Sequence, residues 1–249
     1  MAFTSPYTGL PSARWRKITE RLIAAHPLSV DQIKELAVTS WRELWLTTIG
    51  SAESAFLLAD INPPATVVGY FFEKLFLRNL VAMEPKAWRG PQNRSEKDLV
   101  FEPNAEFSIE LKTSGQLGSR IFGNRSYGQA ATANQAKGKS GYYITVNFYE
   151  KSLNLIRFGW IDHSDWKAQK SATGQMAGLG EDVYRYKLKV IPGQYQLEAP
   201  LELLKGVGPG TKARLAQYGI NRISELLAYD GQDAQIIAAR AMAREFLEK

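Results

Sequence analysis

The segment SEKDLVFEPNAEFSIELKTSG, residues 95–115, decides the fold. Two short apolar-rich runs, DLVF and EFSIELKT, flank a turn-like Glu-Pro-Asn-Ala, and proline with asparagine favours a chain reversal there. The second run alternates. Phe107, Ile109 and Leu111 fall on one face of a strand, and Ser108, Glu110 and Lys112 on the other. Asp98 is expected at the mouth of the paired strand, twelve residues before Glu110. Two carboxylates and an ammonium converging at a sheet edge suit one chemistry. They can hold Mg²⁺ through oxygen ligands while the lysine faces an attacking water or a phosphate. An exposed strand with a solvated Glu/Lys pair is the plainer alternative.

Asp98, then Glu110-Leu111-Lys112, with a helix before and a helix and strand after, resembles the PD-(D/E)XK nuclease fold of type II restriction endonucleases. Lys97 stands where that pattern usually has proline, and Leu111 is the apolar X. The resemblance implies an α/β fold, a mixed sheet flanked by helices. It also implies Mg²⁺-dependent hydrolysis of double-stranded DNA to 5′-phosphate ends, with Mn²⁺ able to substitute. Asp98 and Glu110 would be the metal ligands, with the Leu111 carbonyl, and Lys112 the residue at the water. A helix before the hairpin often supplies a glutamate in this superfamily. Glu73, the only acid in the apolar stretch GYFFEKLF, is that residue here, against a surface Glu73–Lys74 edge.

Composition narrows the metal. The chain has no cysteine and only His26 and His163, which removes disulfides, thiolate zinc sites and histidine-rich centres. Carboxylates and a hard cation remain. A net charge of +6 fits a polyanionic partner. No apolar run approaches the ~20 residues that span a bilayer, and the N-terminus lacks a signal-peptide core, so a reducing cytoplasm is expected.

Helical spacing marks residues 15–25, then a long pattern after Ser29 as N-cap, then residues 65–82 after Asn62-Pro63-Pro64. Residues 127–138 read as a small-residue helix. The runs 141–149 and 153–161 read as paired strands. The loop 114–125 carries Gln116, Arg120, Asn124 and Arg125, side chains suited to groove contacts, and Gln129 follows on the next helix. Glu102 and Glu106 are expected to be solvated. His163 is expected to be a loop histidine.

After Pro192-Gly193 and Pro200 a second unit begins, so the division is 1–195 (with 1–60 helical, the candidate dimer interface) and 196–249. LELLKGVGPGTKARLAQYGINRISELLAY resembles the helix-hairpin-helix of DNA-binding proteins. Lys205, Gly206, Gly208, Gly210, Lys212 and Arg214 would meet the DNA backbone there, glycines permitting close approach to a phosphate.

The opening SPYTGLP, Trp15 and His26-Pro27-Leu28 resemble the ScaI-like group of restriction enzymes. That implies a palindromic site, a homodimer and a cognate DNA methyltransferase in the same system. Two other readings are a structure-selective repair nuclease and a non-catalytic DNA-binding protein on a relic fold. The first is characterised by Glu-Arg-Lys, where this chain has Glu-Leu-Lys.

Overall fold

The computed structural model describes residues 4–128, 138–169 and 176–247. Three helices come first: α1 (Trp15–Ala25), α2 (Val30–Trp45) and α3 (Ala65–Met83). Ser29 starts α2 through a reciprocal cap. Its hydroxyl accepts from the Gln32 N–H at 3.2 Å, and its own N–H donates to Gln32 Oε1 at 2.9 Å. Between α2 and α3 lies a short β1–β2 pair (Thr48–Ile49 and Phe56–Leu57).

The strands β3 (Trp88–Arg89) and β4 (Val100–Phe101) pair with each other. The main sheet has the order β11-β8-β7-β5, with β5 Ile109–Gly115, β7 Gly141–Tyr149, β8 Ser152–Ile161 and β11 Leu188–Val190. β5 runs parallel to β7, while the β7–β8 and β8–β11 pairs are antiparallel. A smaller sheet orders β6 (Phe122–Asn124), β10 (Met176–Leu179) and β9 (Trp166–Ala168). The chain is thus mixed α/β, as expected.

The expected hairpin between the Asp98 run and β5 is reduced to one bridge, Leu99 with Ile109, closed by two backbone hydrogen bonds of 3.0 and 2.8 Å. Phe107 is not in the strand, because Asn104 caps a 3-10 turn, Ala105–Phe107, that delays β5 to Ile109. The hairpin of β7 and β8 forms as read, turning at Glu150 with φ +51°. Of the helix expected at 127–138, residues 129–137 lie outside the described residues, and Tyr127 and Gly128 belong to a 3-10 turn.

Alternation sends the two faces of the main sheet into different surroundings. Ile109, Leu111, Tyr142, Ile144, Val146 and Phe148 join Trp41, Phe72 and Phe76 of the helices in the largest core. Packing is close: a Cβ on Gly69 of α3 would lie 2.2 Å from Thr113 Oγ1 on β5. The opposite face carries Tyr143 into a smaller cluster with Ile121, Tyr127 and Trp166.

The opening SPYTGLP has a structural task. Ser5 donates to Asp162 at 2.7 Å, and Tyr7 and Trp15 lay their rings over the Lys187 ammonium at 4.2 and 4.4 Å. Lys187, 2% exposed, ends a π-helical turn (Val183–Lys187) and is gripped by Asp162 and Asp165 at 2.7–2.9 Å. His163, beside Asp162, belongs to a 3-10 turn after β8.

The last residues form a core of their own: Ala199, Leu201, Leu204, Leu215, Ile223, Leu226, Ile236 and Ala243 among others. The helices are α4 (Pro209–Ala216), α5 (Ile223–Ala228) and α6 (Ala234–Leu247). The helix read before the glycine turn is a single 3-10 turn, Leu201–Leu203, following Pro200. Gly206 has φ +96°, a left-handed conformation that only glycine takes without strain.

Candidate active site

Strand alternation builds the centre of the site. With Ile109 and Leu111 committed to the core, Glu110 and Lys112 emerge together on the other face. Their side chains are 14% and 20% exposed, and Lys112 Nζ donates to Glu110 Oε1 at 2.5 Å. The Leu99–Ile109 bridge brings Asp98 alongside, where its Oδ2 accepts from the Leu111 N–H at 2.8 Å. The three residues singled out in the sequence therefore converge.

Two tyrosines back the carboxylates. Tyr127 donates to Glu110 Oε1 at 2.7 Å, and Tyr143 stands opposite Glu110 in the β5–β7 register. Lys97 is the unexpected member. Its Nζ lies over the Tyr143 ring at 4.7 Å, is shut off from solvent, and has no hydrogen-bond acceptor among the described residues. Its only sequence signal is its place beside Asp98. Tyr127 and Tyr143 had none, since folding alone brings them to β5.

Glu73 reaches the rim of the site from α3, salt-bridged to Lys74 at 2.7 Å, and its charge acts on Asp98. The site's electrostatics are those of acids sharing a small space. Burial first, then the Glu110 charge, pushes the Asp98 carboxyl up to about 7. Burial also pushes Glu110 upward, but Lys112 and Lys97 with the Lys112 and Tyr127 hydrogen bonds outweigh it and hold Glu110 below its ordinary range. Burial lowers Lys97 to about 8. Lys112, although buried, is held above its usual value by Glu110 and Asp98.

The donor set fits a hard divalent cation. Among the described residues no hydrogen bond occupies Asp98 Oδ1 or Glu110 Oε2. A cation between the carboxylates would relieve their mutual repulsion. No cluster of three or more acidic or histidine ligands occurs among the described residues. Two carboxylates with the Leu111 carbonyl suit an ion such as Mg²⁺, which keeps several of its waters.

The other sequence-selected residues fall into three groups. Gln116 and Arg120 lie in the loop leaving β5, where Gln116 Nε2 donates to the Arg120 carbonyl at 3.2 Å. Asn124 ends β6 and turns its side chain inward on the chain, capping the Ser126 N–H at 3.2 Å. Arg125 begins the 3-10 turn Arg125–Gly128, and Gln129 lies outside the described residues. At the C-terminal turn Lys205, Gly206, Gly208 and Gly210 are exposed. Lys212 is paired with Glu202, and Arg214 with Asp233 at 2.8 Å. Glu102 and Glu106, expected to be solvated, are exposed, and Glu102 pairs with Arg89.

A family model described as ScaI restriction endonuclease matches residues 5–192. The type II restriction enzyme ScaI of Streptomyces caespitosus is 38% identical over 195 residues, covering 75% of this chain and 84% of its own length. No solved structure matches the chain. The family match stops before Ala199, where the C-terminal core begins.

Proposed function

Because the chain belongs to the ScaI restriction endonuclease family, we propose that it cuts both strands of double-stranded DNA at a specific palindromic site, using Mg²⁺ held by Asp98 and Glu110. The observation that carries the site assignment is the convergence of Asp98, Glu110 and Lys112, with one oxygen of each carboxylate outside any hydrogen bond among the described residues. The arrangement supports the reading of a PD-(D/E)XK centre.

A divalent cation bound there would polarise the scissile phosphate and lower the pKa of a nearby water. The protein's part is positional. The Leu111 N–H fixes Asp98, and Tyr127 and Lys112 fix Glu110. Lys112 keeps its proton because two acids surround it. It can therefore orient the attacking water and offset charge developing on the phosphate. Glu73, at the rim, would bind an outer water.

One such centre cuts one strand, so a palindrome calls for two copies about a dyad. Exposed apolar side chains around the helical first 60 residues support a homodimer through that region. Leu46 is 68% exposed, and Phe56 and Leu57 are exposed as well. The separate core after residue 196 supports a second module of the helix-hairpin-helix kind, with Lys205 and the glycine turn on DNA phosphates. A cytoplasmic setting and a cognate methyltransferase complete the reading; no described helix is long and apolar enough to cross a membrane. Family membership favours restriction over a structure-selective repair role or a relic fold.

Incubating the purified protein with phage DNA, with and without Mg²⁺, beside Lys112→Ala tests this. Discrete Mg²⁺-dependent bands, absent with the variant, are expected. Salt-sensitive binding with no cleavage would overturn it.

A further inference from the structure

The loop after the catalytic strand is fastened to the sheet in an unusual way. Three successive carbonyls, of Gly118, Ser119 and Arg120, all turn inward. Asn147 on β7 donates to Gly118 O at 3.4 Å and Arg120 O at 3.0 Å, and Arg157 on β8 donates to Ser119 O at 2.9 Å. Arg157 also donates to Asn147 Oδ1 at 2.9 Å, joining the two anchors. Tyr184 accepts the Ile121 N–H at 2.8 Å and lies under the Arg157 guanidinium.

Arg157 is 4% exposed, and among the described residues no carboxylate pairs with it. Burying a guanidinium without a counter-charge is costly, and an apolar residue would fill the sheet face more cheaply. Its hydrogen bonds go to the Ser119 carbonyl of the loop and to Asn147, which itself holds the carbonyls on either side. With the carbonyls held inward, the loop leaves Leu117, Gly118, Ser119 and Arg120 exposed. Arg157 also lies in the same cross-strand row as Lys112, through Thr145. Two strand spacings, roughly 10 Å, separate the anchor from the catalytic lysine within one sheet.

We propose that Arg157 and Asn147 are positioning residues for DNA recognition, seating the loop 116–121 so that Arg120 and Gln116 read the groove beside the phosphate at Lys112. This rests on the proposed nuclease function. The buried cation sets the height of the loop above the sheet, and the sheet sets its distance from the cut.

The test measures single-turnover cleavage at the recognition site and at sites differing from it by one base, for wild type, Asn147→Asp, Arg157→Lys and Arg120→Ala. Asn147→Asp keeps the acceptor for Arg157 but turns a carboxylate toward the two loop carbonyls. Arg157→Lys keeps the charge and loses the two-pronged hold. The ratio of the two rates should fall about tenfold or more in each variant, the scale of one good side-chain contact to a base. A purely structural role would lower both rates together and leave the ratio unchanged, and that result would overturn the proposal. Should one anchor variant fail to fold, the other still decides. A wild-type chain that cuts no site would instead remove the nuclease reading itself, a distinct outcome.

Discussion

The Asp98 carboxylate accepts a hydrogen bond from the backbone N–H of Leu111 at 2.8 Å, thirteen positions along the chain. The proposed metal-binding acid is thus tied to β5 by the main chain of the residue between Glu110 and Lys112. Asp98→Asn should keep this contact while losing the charge. Cleavage is expected to fall on the order of 10³-fold. DNA binding without metal should hold or tighten, because a negative charge facing the phosphate is gone. A variant cutting within tenfold of wild type would remove Asp98 from the metal site.

Cation binding should release a proton. The folded Asp98 value of about 7 lies above its ordinary 3.8, so in the metal-free chain the carboxyl is protonated below about pH 7. Divalent-cation affinity should then weaken roughly tenfold for each pH unit below 7 and level off above it. Titration calorimetry in buffers of different ionisation enthalpy would show the proton. The sign for stability is the reverse of the usual paired acid. Folding favours protonated Asp98, so its contribution is fully present below pH 3.8 and is lost as pH rises toward 7. Adding the cation at pH 8 should restore it.

Lys97 places an ammonium with no acceptor among the described residues beside the proposed metal site. Replacing it by an apolar side chain of similar length, Lys97→Met, should raise metal-free stability by about 1 kcal/mol in urea unfolding. It should also tighten divalent-cation binding, since a repelling charge has left. Loss of stability would mean that the attraction of Lys97 to Glu110 exceeds its burial cost.

Lys187 tests the opposite case, a buried cation fully paired. Lys187→Met leaves Asp162 and Asp165 facing each other in the interior and should cost about 3–5 kcal/mol. Adding Asp162→Asn and Asp165→Asn should recover much of that. If the single variant unfolds at the wild-type urea midpoint, the cluster does not hold the N-terminal segment.

The C-terminal turn predicts a change in salt dependence. Lys205 is exposed and unpaired among the described residues. Lys205→Ala should reduce the slope of log affinity against log salt by about 0.9, the value for one phosphate contact. An unchanged slope would direct that module to protein rather than DNA.

Periodicity made much of this legible. The apolar spacing of Ile33, Leu36, Ala37, Trp41 and Leu44 marks the buried face of α2, and the two-residue period alone puts Glu110 and Lys112 on one face. Local chemistry hid the start of β5, where Asn104 spends its side chain on a turn that takes Phe107 out of the strand. Long-range pairing was hidden too. β5 takes its register from β7, thirty-odd residues on, and not from the run containing Asp98. Lys97, Tyr127 and Arg157 could not be read as site or anchor residues, because their roles depend on which strands become neighbours.

Because β5 and β7 are parallel, the chain cannot return by a tight hairpin and must cross from one end of the sheet to the other. The residues between Gly115 and Gly141 are that crossing, and they include the loop seated on Asn147 and Arg157. Geometry obliges this stretch to exist but says little about its side chains. Divergence can therefore change the side chains presented there while Glu110 and Lys112, locked in β5 before the crossing starts, stay where they are.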